Sequence, residues 1–350
     1  MVQYLVAAIS ISIVYLYGCV GEIITEKSGH LNLGIPGIMC MGTFGGCFGV
    51  ALYMNSLATQ ESAVWLFLIL SSVIFAMLFA ALGGLIYAFL TVSLKCNQNI
   101  VGLALTTFGK GFTDFFMGKI NMDRFAWASK LFRKTLPFAD KLGWFGELFL
   151  SHGILMYLGI AVAIAVAILL KKSKVGLNLR AIGENPATAD AAGVNVNAYK
   201  YGAILLGAAI AGIGGLFYVM NYVGGSWENS GTIESFGWLA IALVIFCVWR
   251  PDLAILGSFI FGLLDAFISF SQVAFGISFT LAQKEIVKLL PYFVALVVLV
   301  VTSIIGKKET QPPACMENTG RRLLAVGRSF RRRVEGPERV ARTSADKPAL

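Results

Sequence analysis

Long apolar stretches recur along the chain, and the polar residues gather between them. Nine such stretches can be marked, at approximately 2–24, 31–54, 63–94, 99–117, 154–170, 201–223, 236–249, 253–270 and 289–305. A hydrocarbon core of ~30 Å requires ~20 residues of helix, with a working range of about 17 to 25. In lipid the backbone must satisfy its own hydrogen bonds, so each stretch is expected to be helical. Segment 63–94 is too long for a simple crossing and is expected to tilt or extend past the interface. Segment 236–249 is short and is expected to be broken or only partly crossing. The pattern predicts an all-α polytopic membrane protein with about nine transmembrane helices, in a range of eight to ten.

Composition agrees with this picture and removes its main competitor. Of 350 residues, 57% are hydrophobic and 13% charged, against roughly 25% charged in soluble domains. A water-soluble globule of this composition would expose far more apolar surface than monomers tolerate. The six cysteines show no metal-ligand spacing, and four lie inside apolar runs where a thiol acts as a small hydrophobe. No metal site and no disulfide framework is expected. The N-terminal stretch lacks a basic leader and a small-residue cleavage site, so it is expected to be a retained span.

Charge decides orientation only through the C-terminal end. With nine spans, one set of loops holds eight Lys and Arg and the other set also holds eight. Residues 307–350 add eleven more and carry +6 of the net +9. The positive-inside rule then places the N-terminus outside, with 171–200 and the C-terminus in the cytoplasm. The chain thus divides into a transmembrane domain, 1–306, with an external loop at 118–151, and a basic tail, 307–350, expected to be disordered. A basic segment beside a membrane is read as a topology signal or a contact with anionic lipid, so no nucleic-acid partner is expected.

Two further features stand out. Glycine and alanine cluster in 42–49 and 207–215, with small-xxx-small spacings at Gly42/Gly46 and Ala211/Gly215 that permit close helix packing in lipid. The polar gap at 175–196, VGLNLRAIGENPATADAAGVNV, carries a punctuated helix. Asn185 suits its N-cap, Pro186 its first position and Gly193 the residue after its end. About two turns of helix are marginal alone in water, so a docking surface must hold it. Ala187, Ala189, Ala191 and Ala192 permit close approach, and Glu184 and Asp190 can meet basic groups there.

That gap also carries a resemblance. The pattern G-L-x-L-R-A-x-G-E-N-P-x-x-A-x-x-x-G-V-x-V resembles the coupling loop of ABC-importer permeases in the branched-chain amino acid, ribose and nucleoside group. A second block, SGHLNLGIPGIMCMG at 28–42, is similar to that of the simple-sugar and nucleoside branch. The block NQNIVGLALTTFGKGFTDFF and the glycine-rich GAAIAGIGGLFYV extend the resemblance over 20–305. Pro36 stands where members of the branch often carry an acid, and nothing from about 309 onward matches the family.

The resemblance implies a permease subunit in the plasma membrane of a prokaryote, paired with a second permease, identical or not. It also implies ABC ATPase subunits beneath and an extracytoplasmic solute-binding lipoprotein above, with membrane lipid around the spans. Arg180, Glu184, Asn185, Pro186, Ala187, Asp190 and Gly193 would couple the chain to the ATPase. The expected solute is a nucleoside, then a simple sugar, with branched-chain amino acids as an alternative. ATP would be bound by the partner and no cofactor by this chain. Its nearest approach to a phosphate loop, 104–111, lacks the first glycine and the Ser/Thr.

Ionisable and polar groups inside apolar segments mark a candidate solute route. A centred charge costs ~2.5 to 3.5 kcal/mol on insertion scales, so each should face a cavity or a partner. Asp265 lies mid-span, Lys110 and Asp114 share the fourth segment, and Glu22 closes the first. Lys110 and Asp114 are spaced i, i+4 and can pair with each other. Asn32, Asn221, Trp227 and Glu228 are further lining candidates, since a polar solute needs hydrogen bonds and a ring to stack on. His30 and His152 fall at span edges, where interfacial placement is the default. An ion-coupled secondary transporter is the competing class, although no inverted repeat is evident. An intramembrane enzyme lacks support, because HExxH and GxSxG are absent; no catalytic residue is expected.

Overall fold

The computed structural model describes residues 1–135, 139–276, 278–305 and 313, and every regular element among them is helical. The tail expected at 307–350 lies, apart from Pro313, outside the described residues. In chain order the α-helices are α1 (Val2–Lys27), α2 (Ile35–Ser56), α3 (Trp65–Ala88), α4 (Gln98–Met117), α5 (Phe125–Phe132), α6 (Gly143–Phe149) and α7 (Ile154–Lys172). They continue as α8 (Lys174–Glu184), α9 (Pro186–Ala191), α10 (Val196–Phe217), α11 (Ser230–Phe246), α12 (Pro251–Phe275), α13 (Leu281–Val287) and α14 (Leu290–Ile305). Single π-helical turns, Phe89–Ser93 and Tyr218–Tyr222, prolong α3 and α10.

Local sequence explains several helix ends. Asn97 caps α4 by accepting from the N–H groups of Asn99 and Ile100 at 3.0 and 3.3 Å. Pro251 opens α12, and Gly276 closes it in the left-handed region at φ 69°. Such punctuation fixes the boundaries while the apolar runs between supply the surfaces that pack.

Among the described residues, six helices are long and apolar enough to cross a membrane: Val2–Lys27, Ile35–Ser56, Trp65–Ser93, Ile154–Lys172, Val196–Tyr222 and Pro251–Gln272. The nine segments marked in the sequence exceed that number for definable reasons. Segment 99–117 forms a 20-residue helix that carries Lys110 and Asp114, whereas 236–249 and 289–305 fall on helices of 17 and 16 residues. Segment 63–94, read as too long for a simple crossing, is one 29-residue helix including its π turn.

α1, α2 and α10 form the centre, and α3, α11 and α12 pack around them. Small residues set the spacing. A Cβ on Gly42 would collide with the backbone of Gly212, and one on Gly46 would come within 2.7 Å of the Leu216 side chain. Close backbone approach of this kind drives association in lipid, where apolar burial alone gains little. α3 instead turns Leu66, Leu70, Ile74, Leu78 and Leu82 outward along one exposed stripe. An apolar stripe of that length fits a lipid-facing surface.

The loops gather on two opposite faces. On one, the α1–α2 loop meets α3 and α4, with the Tyr87 hydroxyl donating to Leu31 O at 2.6 Å and Leu31 N–H to Gln98 Oε1 at 3.0 Å. The same face holds α8, α9 and the α11–α12 turn, where Lys171 pairs with Asp252 at 2.9 Å. On the other face, Trp65 donates to Leu131 O at 3.0 Å and Arg124 to Leu57 O at 2.9 Å, tying α5 over the α2–α3 loop. α6 completes that cover with Trp144 67% exposed beside Phe145 and Phe149.

Both histidines lie at span ends, as their place in the chain suggests, and both are buried within the protein. His30 is 2% exposed and His152 6%, because the α1–α2 loop folds inward under α3 and the α6–α7 junction packs against α1. Burial, with Lys200 nearby, pushes the His30 imidazole down to about 3. His152 is lowered for the same first reason, loss of water. Its ring lies 3.3 Å from the Ser10 hydroxyl and 3.0 Å from Leu148 O.

Candidate functional site

The polar gap folds into two helices that meet at Asn185. Ser173 opens α8 by accepting from Gly176 N–H at 2.9 Å. Asn185 ends α8 and caps α9, its Oδ1 accepting from the N–H groups of Ala187 and Thr188 at 3.1 and 3.2 Å. Pro186 is the first residue of α9. Gly193 follows in the left-handed region at φ 82°, which favours glycine. All three punctuating residues therefore take the places their chemistry suggests.

The first helix of this bend, α8, is not apparent from punctuation alone. Its signal lies in the spacing of Gly176, Leu179, Ile182 and Gly183, which form one buried face. A Cβ on Gly183 would strike the Lys27 carbonyl, so α8 rests directly on the backbone at the end of α1. In α9 only Ala189 is buried, against α8 and α10 of the same chain. Arg180, Glu184, Ala187, Asp190 and Gly193 are exposed or half-buried on the outer side of the bend. Val175 and Leu177 join them, 52% and 59% exposed. Apolar side chains set among exposed charges make a surface suited to a protein partner.

A second polar feature runs between α4 and α11. Lys110 and Asp114 do not pair with each other. Lys110 Nζ instead reaches Glu234 Oε2 at 2.7 Å. Asp114 accepts from the Ser230 N–H at 3.0 Å and from its hydroxyl at 2.6 Å. The reason is geometric. Ser230 and Glu234 repeat the same i, i+4 spacing on a helix running the other way, so each polar residue of α4 meets one on α11. Glu234 escapes a reading of the sequence because it stands before the apolar run of its helix.

The remaining candidate residues are distributed unevenly. Asp265 is partly buried on α12, with Tyr15, Tyr218, Tyr222 and Tyr292 within electrostatic reach. The Tyr218 and Tyr222 rings stack at 5.6 Å, and Phe236 lies edge-on to Tyr15 at 5.5 Å. Asn221 donates to Phe132 O at 3.1 Å and, with Tyr222, Arg133, Glu147 and His152, lines a cavity of about 320 Å³ on the face covered by α5 and α6. Trp227 packs partly buried against the core, while Glu228 is exposed. Asn32 is set apart at the α8 face, fully buried, its Oδ1 accepting from Gly34 N–H at 2.9 Å. No group of three or more metal-ligating side chains occurs among the described residues.

A bundle of long apolar helices, with a polar seam between two of them and an exposed helical bend on one face, has the features of a multi-pass membrane protein. Similarity to known proteins places it more closely. Residues 4–302 match the family described as the branched-chain amino acid transport system permease component, and the chain belongs to that family. TsgC13 of Haloferax volcanii, described as a putative glucose ABC transporter permease protein, is 33% identical over 261 residues, 74% of this chain and 75% of its own length. The nucleoside ABC transporter permease protein NupC of Lactococcus lactis is 30% identical over 256 residues, covering 71% and 76%. The guanosine ABC transporter permease protein NupQ of Bacillus subtilis is 28% identical over 274 residues, covering 75% and 82%. The chain is thus a permease component of an ABC transporter, a transport subunit rather than an enzyme.

Proposed function

We propose that this permease imports a nucleoside, with simple sugars as the second class of solute, across the plasma membrane of a prokaryote. ATP hydrolysis by a separate ABC ATPase drives the cycle, and residues 1–306 form the permease domain. The N-terminus faces outside and the C-terminus the cytoplasm, so the α8–α9 bend meets the ATPase and the α5–α6 cover faces a solute-binding lipoprotein. A second permease subunit completes the pore. Lys110, Asp114, Asn221, Trp227 and Asp265 supply polar and aromatic groups along the route. Asn32 belongs to the inner end of the bundle.

The observation that carries this reading is the bend itself. It is capped at both junctions, seated on the end of α1, and exposes Val175, Leu177, Arg180 and Glu184 together. The bend thus bears directly on the bundle, since α8 packs on the Lys27 backbone. The preference for nucleosides is supported by the relatives named for nucleosides and guanosine.

The test joins purification to uptake. Extraction of the tagged chain from its native membrane is expected to recover an ABC ATPase. Cells expressing the system are expected to take up labelled guanosine faster than labelled glucose or leucine. Uptake should collapse when ATP is depleted with the ion gradient held. Uptake that survives ATP depletion and fails with the gradient would instead mark an ion-coupled secondary transporter.

A further inference from the structure

Two carboxyl groups near the end of α1 have no task in the account so far. Glu22 and Glu26 lie one turn apart, and neither is more than 1% exposed. A carboxyl taken out of water is costly unless it is partnered, so what holds each one matters. Glu22 Oε1 accepts from the Asn32 N–H at 2.9 Å, in the α1–α2 loop. Glu26 accepts from the indole N–H of Trp249, in the turn between α11 and α12.

Trp249 sits in an unusual backbone. It and Val248 both have φ 53°, in the left-handed region where β-branched and bulky residues are strained. Two such residues in succession persist only where their surroundings enforce them. The indole is buried, and its polar atom is held by Glu26. One residue beyond Glu26, the Lys27 carbonyl meets Gly183 of α8. Close-packed backbones transmit displacement rather than absorb it.

The geometry points to Glu22, Glu26 and Trp249 as positioning residues of the transport cycle. They fasten the inner end of α1 to the α1–α2 loop and to the α11–α12 turn, so that a stroke on α8 moves all three together. Asn32 Nδ2 is buried without a partner, and the Glu22 carboxyl lies within electrostatic reach of that of Glu26. The inference rests on the proposed function, in which a partner ATPase pushes on α8 and α9.

The test uses the full transporter, reconstituted in proteoliposomes with its ATPase and binding protein. ATP hydrolysis and solute uptake are measured on the same preparation. Trp249→Phe keeps the ring and removes the donor; Glu26→Ala removes the acceptor; Glu26→Gln keeps a carbonyl that accepts. Trp249→Phe and Glu26→Ala are each expected to keep hydrolysis within about two-fold and to slow uptake about ten-fold, raising the ATP consumed per solute. Glu26→Gln should restore most of the uptake, and the double variant should be no worse than either single one. Normal uptake by Trp249→Phe overturns the inference. So does a parallel loss of hydrolysis and uptake, or a double variant whose defects multiply. A wild-type preparation without ATP-driven uptake would instead refute the proposed function, leaving the two failures distinguishable.

Discussion

The α8–α9 bend and the α4–α11 seam are both polar parts of this membrane protein, and they treat polar side chains in opposite ways. In the bend, backbone groups are satisfied locally by Ser173 and Asn185, leaving Arg180, Glu184 and Asp190 exposed. In the seam, Asp114 and Lys110 are engaged across to α11 by Ser230 and Glu234. A polar residue surrounded by water is free to serve a partner. One set between apolar helices is drawn to whatever polar group faces it.

Substitutions that exchange these roles test the contrast. The largest effect is expected from Gly183→Val, because the added side chain has no space against the Lys27 carbonyl. Uptake should fall by about two orders of magnitude, as expected when a small displacement is imposed on a site far from it. Gly202→Ala, where nothing lies within 4 Å of an added Cβ, should leave uptake unchanged.

Asp114→Ala comes next. It removes both acceptors from Ser230, which is fully buried, and should destabilise the purified protein by about 1–3 kcal/mol. Thermal unfolding in detergent measures this, and an unchanged melting curve would contradict the seam. Glu184→Ala should give the reverse profile, with stability within about 0.5 kcal/mol of wild type and uptake lowered about ten-fold by a lost partner contact. Wild-type uptake by a properly inserted Glu184→Ala would remove it from the coupling surface.

Near neutral pH the smallest effect is one of protonation. His30 is held near 3 when folded, whereas an unfolded imidazole titrates at ~6.5. Below that pH the unfolded chain takes up a proton that the folded chain refuses, so stability is lost as pH falls. The loss from this group should stay under about 1 kcal/mol at pH 6 and grow toward pH 3. His30→Gln should flatten that part of a stability profile measured in detergent.

The two regions also differ in how far they can be read from the chain alone. Asn185, Pro186 and Gly193 act through their own backbone neighbours, so a linear pattern suffices to place them. α8 is harder to see, because glycines occupy half of its buried face and weaken an apolar signal. In the seam, Lys110 and Asp114 stand out as polar residues in an apolar run, yet their partners lie more than a hundred residues away. An i, i+4 spacing suggests that they pair with each other. The matching spacing of Ser230 and Glu234 prevails because an antiparallel helix brings both partners into line. The burial of His30 and His152 is likewise not legible in the chain, since being near a span edge says nothing about which helix covers the loop.

By itself the sequence determined that the chain lives in lipid, where its long apolar helices lie, and that one polar gap holds a helix capped by Asn185, Pro186 and Gly193. Those properties depend on composition, period and caps within a few residues. Only the tertiary structure decided that α8 rests on the end of α1, that α4 pairs with α11, and that Glu26 holds Trp249. Such contacts depend on the rotation and register of helices distant in the chain, and local rules do not fix either quantity.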